Sequence, residues 1–121
     1  IESIDLYPSL CELAGLTVSE HLQGRSFATL MNNPEAEWSS AAVGRFQGGD
    51  TIRTDTFRFT EYTNAQGILT SRMLYDHAND PSENVNMAET SNDYSSHLAE
   101  ELHRMMGSDG DLLIGKKAEA K

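Results

Sequence analysis

The chain has 121 residues, which suits one domain able to bury a working core without metals or disulfides. Its formal net charge of −10, from 19 acidic against 9 basic residues, argues against duplex nucleic acid or an anionic membrane as a partner, because both repel such a surface. Cys11 is the only cysteine, so an intrachain disulfide and a thiolate-built metal site are excluded. Residues 5–14 then carry Leu6, Leu10 and Leu13 at i, i+4 and i+7, with Tyr7, Cys11 and Ala14 alongside, which is helical spacing. With Asp5 as N-cap, Pro8 takes the third helical position, inside the first turn where its missing N–H breaks no bond. Gly15 suits the C-terminal cap. Apolar residues occupy more than half of this helix's circumference, a wider face than one small sheet needs. Residues 16–25 show no period and read as an irregular connection. Residues 27–31 suit a short helix that Asn32, Asn33 and Pro34 stop. Trp38, just ahead of the first strand, reads as a core or lid residue in preference to a ligand platform.

Residues 51–62, TIRTDTFRFTEY, are the densest β-forming stretch. They predict two antiparallel strands with a turn at Thr54 and Asp55, Phe57 and Phe59 pointing to the core face. Residues 71–75 predict a further strand after a hairpin loop at 64–67. Residues 39–46 add a fourth. Between them GRFQGGD, residues 44–50, reads as a permissive strand-connecting loop, since three glycines without a following helix make no phosphate cradle. Residues 76–87 are polar, broken by Pro81 and rich in Asn and Asp, an ordered loop. Asp76, Asp80 and Glu83 invite a calcium reading there, but the D-x-D-x-D-G spacing is missing, and side-chain caps on the loop's own backbone are the preferred account. Ser91 or Asn92 can cap a last helix running to about Met106, with Leu98, Leu102 and Met105 or Met106 as its stripe and Gly107 as its stop. His97 and His103 lie roughly 120° apart around it and cannot chelate one metal. Residues 108–121 read as a flexible tail.

Hydrophobic residues make up 38% of the chain, against about 45–50% in ordinary domains, so the core is thin for the length. No stretch resembles a signal peptide or approaches the ~20 apolar residues of a membrane helix. No Gly-x-Ser-x-Gly elbow, His-Glu-x-x-His or P-loop is present. The residues by themselves support an α+β module of about four antiparallel strands between an N-terminal and a C-terminal helix.

Four stretches in register, IDLYPSLCELAGL, HLQGRSF, IRTDTFRFTEY and LYDHANDPSENVNMA, resemble the C-terminal region of sulfatases of the alkaline-phosphatase-like superfamily. They are most similar to the bacterial branch of iduronate-sulfatase-like enzymes. Ser9 stands where that pattern usually has Thr, and Met87 where it has Leu. The resemblance covers about residues 1–106 and implies that residues 1–107 form the C-terminal subdomain of a larger α/β sulfatase fold. It implies a catalytic domain as partner and a sulfated carbohydrate as the parent's substrate. It also implies calcium and a formylglycine in the parent, and a periplasmic or secreted location if the parent is bacterial. In that family the formylglycine arises from the Cys or Ser of C/S-x-P-x-R. Cys11 is followed by Glu12, Leu13, Ala14 and Gly15 and cannot be that nucleophile, so the chain carries no catalytic or metal-binding residue in this reading and is expected to be inert alone. Arg45, Gln47 and Arg53 are the candidates to reach a pocket mouth, because a guanidinium fork matches an oxyanion bidentately. The competing reading pairs Arg45 and Arg53 with Asp50, Asp55 or Glu61 across the sheet, worth under ~1 kcal/mol each. Alternatives for the whole chain are a stand-alone non-catalytic binding or structural module, and a piece of a phosphoester or phosphonate hydrolase of the same superfamily.

Overall fold

A computed structural model of the chain describes residues 1–38 and 41–107, and the expected tail at 108–121 lies outside them. The chain divides into two units, Ile1–Ser40 and Ala41–Lys121.

In the first unit a 3₁₀ turn, Ser3–Asp5, leads into α1, Leu6–Leu13, and a short α2, Ala28–Asn32, follows the irregular connection. Pro8 sits at the third helical position, as its lack of an N–H requires. The end of α1 is a Schellman motif. Gly15 takes φ +68°, its N–H donates to Glu12 O at 3.0 Å, and the Leu16 N–H donates to Cys11 O at 2.8 Å. The start of α1 differs from the expected cap. Asp5 makes no side-chain bond to the first turn. Its carboxylate accepts instead from the Glu2 N–H at 2.8 Å and, across the unit, from the Arg25 N–H at 2.9 Å. Ser9 repeats the device one turn on: its hydroxyl donates to Asp5 O at 2.6 Å and accepts from the Phe27 N–H at 2.9 Å. Gly24 lies so close to the first turn that a Cβ there would meet Ile4 O at 2.0 Å. Buried Asp5, Pro8, Ser9 and Cys11 therefore define the inner side of α1. The leucine stripe faces out, with Leu6, Leu10 and Leu13 at 51%, 64% and 53% exposure. Trp38 is half-buried under the Arg25 guanidinium, 4.3 Å from its ring centre.

The second unit is a four-stranded antiparallel meander, β1 (Ala42–Phe46), β2 (Gly49–Arg53), β3 (Phe57–Thr63) and β4 (Leu69–Asp76), in sheet order β1-β2-β3-β4, followed by α3, Asn92–Met106. The turns at 54–56 and 64–68 fall where their Thr, Asp, Asn and Gly place them. The GRFQGGD stretch, expected as a loop, is mostly strand. Gln47 and Gly48 alone form the connection, at φ +48° and +77°, the doubly positive geometry that closes a two-residue hairpin between right-twisted strands. Along one face of the sheet Val43, Ile52, Phe59 and Leu74 fall in one cross-strand row. Ile52, Phe59 and Leu74 are fully buried with Leu98, Leu102 and Met106 of α3, and Phe57 packs at the rim with its ring 5.1 Å from that of Tyr94. Ser91 precedes α3 without making a side-chain cap. Ser95, fully buried, ties the helix down instead by donating to Ala88 O at 2.9 Å.

β4 is an edge strand only in part. Asn86, from the following loop, sets its side-chain amide against the strand like a further peptide unit. Its Oδ1 accepts from the Leu74 N–H at 2.9 Å and its Nδ2 donates to Arg72 O at 3.0 Å, while the Met87 N–H donates to Leu74 O at 2.8 Å.

Candidate functional site

The alternation of side chains along a strand puts the three expected substrate-facing residues in different places. Arg45 points to the α3 side of the sheet, where its Nε and Nη2 meet the Asp50 carboxylate at 2.6 and 2.8 Å, a bidentate pair. Gln47 is exposed at the hairpin tip. Arg53 pairs in register with Ala42 and Arg58, which places it on the opposite face. The geometry thus unites Arg45 with Asp50, as the cross-sheet reading has it, and separates it from Arg53.

Beside Arg45 the row continues through Asp50, Glu61 and Arg72. The Glu61 residue is only 6% exposed and lies between Arg72 and His103. Arg72 reaches its Oε1 through Nε at 2.8 Å and Nη2 at 2.7 Å, and His103 of α3 reaches Oε2 at 2.6 Å. A carboxylate withdrawn from water to this degree is tolerated because both oxygens are paired. The His103 contact also fastens the last turn of α3 to the sheet, a role invisible to helical spacing because its partner is 42 residues earlier.

The 76–87 loop spends its carboxylates on itself. Asp76 accepts from the Ala78 N–H at 2.9 Å and from Asn79 Nδ2 at 2.7 Å, and Asp80 accepts from the Val85 N–H at 2.9 Å and Asn84 Nδ2 at 2.8 Å. The Asn79 amide holds the Asp76 carboxyl below its ordinary value, and the Val85 N–H does the same for Asp80. Glu83, at φ +56°, receives Arg58 at 2.7 Å and His77 at 2.5 Å. Asp76 and Asp80 are the expected side-chain caps, whereas Glu83 pairs with side chains, one of them on β3. The calcium and formylglycine that the sequence resemblance implies for a parent enzyme do not fit the residues present. Among the described residues no three of His, Cys, Asp and Glu are grouped to hold a metal ion, and Cys11 is buried on α1.

The face away from α3 is different in kind. Three cross-strand rows run over it: Phe46, Gly49 and Tyr62; Gly44, Thr51 and Thr60; Ala42, Arg53 and Arg58. A groove of about 300 Å³ opens along the first two rows and takes in Arg58, with Arg45 of β1 also at its lining. The Tyr62 ring lies against Gly49, where a Cβ would come within 2.7 Å of it. Thr51 and Thr60 bond hydroxyl to hydroxyl at 2.9 Å. None of Phe46, Thr51, Thr60 and Tyr62 is singled out by sequence pattern, since Phe46 and Tyr62 become neighbours only once the two-residue turn fixes the register.

A family model described as N-sulphoglucosamine sulphohydrolase, C-terminal, matches residues 1–108. A Delta 4,5-hexuronate-2-O-sulfatase of Bacteroides thetaiotaomicron is 31% identical over 116 residues, 88% of this chain and 23% of that protein. A sulfatase of Formosa agariphila is 26% identical over 89 residues, 73% of this chain and 17% of its own. Among solved structures, a putative sulfatase from Bacteroides fragilis superposes with a TM-score of 0.81 at 20% identity, over 90% of this chain and 25% of that one. Another, in complex with its substrate D-glucosamine-2-N,6-O-disulfate, gives 0.76 at 23% identity, over 93% and 25%. The chain spans between 17% and 25% of the length of these relatives, and the likeness to the solved structures is one of fold.

Proposed function

The chain belongs to the family of N-sulphoglucosamine sulphohydrolase C-terminal domains, and we propose that it serves as the C-terminal subdomain of an enzyme hydrolysing sulfate esters on a carbohydrate. In this reading it packs against a catalytic domain and shapes one wall of the substrate pocket, and the calcium and formylglycine belong to that partner domain. The observation that carries it is α1. Leu6, Tyr7, Leu10 and Leu13 are each more than half exposed on a helix whose inner side is already filled, and a contiguous apolar stripe of this kind marks a contact surface. The β1–β2 hairpin, with Arg45 and Gln47 near its tip and Arg53 at the far end of β2, is the part proposed to face the pocket.

Two measurements test this. Leu10→Glu together with Leu13→Glu should abolish association with the catalytic domain supplied in trans, while leaving the melting temperature of the isolated chain unchanged. Unaltered association would overturn the docking assignment. Arg53→Ala in the reconstituted enzyme should raise KM for an anionic sugar sulfate and leave kcat and metal content untouched. The isolated chain should show no turnover of an aryl sulfate, since its sequence has no C/S-x-P-x-R motif and no metal-holding group occurs among the described residues.

A further inference from the structure

We infer that the sheet face opposite α3 is a binding surface for an anionic, sulfated saccharide, with a sugar ring stacked at the Phe46–Tyr62 end and a charged substituent at the Arg53–Arg58 end. The inference rests on the carbohydrate reading given above and assigns residues to it.

The face is graded along the strands. At the hairpin end Phe46 is 75% exposed and the half-buried Tyr62 packs its ring against Gly49. Flat rings beside a glycine floor suit the C–H face of a pyranose, as aromatic residues at recognition surfaces supply large rigid area at little entropic cost. One row on, roughly 7 Å along the strands, come Gly44 and the hydroxyls of Thr51 and Thr60. The Thr51 hydroxyl donates to Phe59 O at 3.0 Å and is bonded to that of buried Thr60 at 2.9 Å, so what half-buried Thr51 offers a sugar hydroxyl is an acceptor oxygen. After a further two residues Arg53 and Arg58 stand directly opposite one another. Like charges in register repel across a sheet, and Glu83 answers only Arg58, at 2.7 Å. Arg53 Nη1 and Arg58 Nε are buried donors with no acceptor, an arrangement that costs free energy unless something supplies one. Both residues are half-buried; Arg58 lines the groove and Arg53 stands next to it in register.

Charge selects the ligand. In a chain of net charge −10, this face carries two arginines and no strand acid, because Asp50, Glu61 and Asp76 all project to the α3 side. An oxyanion on a sugar meets the guanidinium pair without passing a carboxylate on the strands, and the field of the surrounding acids disfavours any anion that lacks the aromatic and hydroxyl contacts. The span from the aromatic row to the arginines, roughly 13 Å, is that of an oligosaccharide segment more than of a single ion.

The test is a titration of the full chain with a sulfated disaccharide, its desulfated counterpart and sodium sulfate, followed by NMR. Shifts confined to β1, β2 and β3 on this face are expected for the sulfated sugar, with affinity about tenfold weaker for the desulfated one and no saturation by sulfate alone. Phe46→Ala and Arg53→Gln, both outside the buried core, should each weaken the sulfated sugar about tenfold, with the thermal melt confirming folding. Unchanged affinity in Phe46→Ala, equal binding of sodium sulfate, or absence of any shift would overturn the assignment. Loss of sugar binding when the catalytic domain is added would do the same, by showing that the face is a contact between domains. Failure of the α1 docking experiment leaves this titration unaffected, so the two readings fail separately.

Discussion

The helices α1 and α3 carry the same kind of apolar stripe and use it in opposite ways. In α3, Leu98, Leu102 and Met106 turn inward and close over Ile52, Phe59 and Leu74. In α1, Leu6, Leu10 and Leu13 turn outward, and the buried side holds Pro8, Ser9 and Cys11 next to Asp5. The second unit is held by an apolar core. The first is held by backbone N–H groups handed to one carboxylate and one hydroxyl, the Arg25 and Phe27 amides being taken by Asp5 and Ser9. Periodicity identifies a helix and its stripe, and it does not say whether the stripe's partner lies in the same unit.

The largest test of this contrast is Phe59→Ala. Phe59 is fully buried, and its removal should destabilise the second unit by about 3–5 kcal/mol in denaturant unfolding. A loss below 1 kcal/mol would mean that the apolar cluster is not what holds the sheet to α3. Next comes Asp5→Ala, expected to cost the first unit about 2–3 kcal/mol because two amides lose their acceptor. Hydrogen exchange should accelerate at Glu2 and Arg25, and unchanged protection there would return α1 to an ordinary capped helix. Leu10→Ser should lie within about 0.5 kcal/mol of neutral, since the side chain is 64% exposed. A large loss would show that the stripe is buried within the chain in solution.

The smallest effect concerns acid. Folding lowers the carboxyl pKa of Asp76 and Asp80 from 3.8, so the stability they contribute is fully present above that value and is lost as pH falls below it toward the folded pKa. The Ala78 and Val85 amides should stay protected down to about pH 4 and open below it. Opening near pH 6 would mean that another group governs the loop.

Much of the second unit was legible from residues because its signals are local. Alternation at Phe57 and Phe59, turn residues at Asn64 and Gly67, and the spacing of Leu98, Leu102 and Met106 each act over a few positions. The four family-like stretches were legible as text, and the structure supplies their physical content. Gly24 is the place where the chain presses on Ile4 O, Ser9 receives the Phe27 amide, and Asn86 lies along β4. What was not legible depends on register or on distance in sequence. The two-residue turn at Gln47 and Gly48 was hidden because glutamine is an uncommon choice at positive φ, so the surrounding glycines read as a loop. The placement of Arg45 and Arg53 on opposite faces follows from that turn. The His103 contact with Glu61 joins two elements that no window of sequence spans together.

Asn86 bears on how copies of the chain treat one another. A four-stranded meander presents two free margins, and a strand margin with open amides and carbonyls invites a strand from another molecule to dock. By occupying the Leu74 N–H and the Arg72 carbonyl, one side-chain amide removes the middle of the β4 margin from that chemistry. Replacing it with alanine would leave the fold's apolar core intact and uncover a template for edge-to-edge growth, so the cost would appear as concentration-dependent association, seen as rising light scattering, before it appeared as a lowered melting temperature.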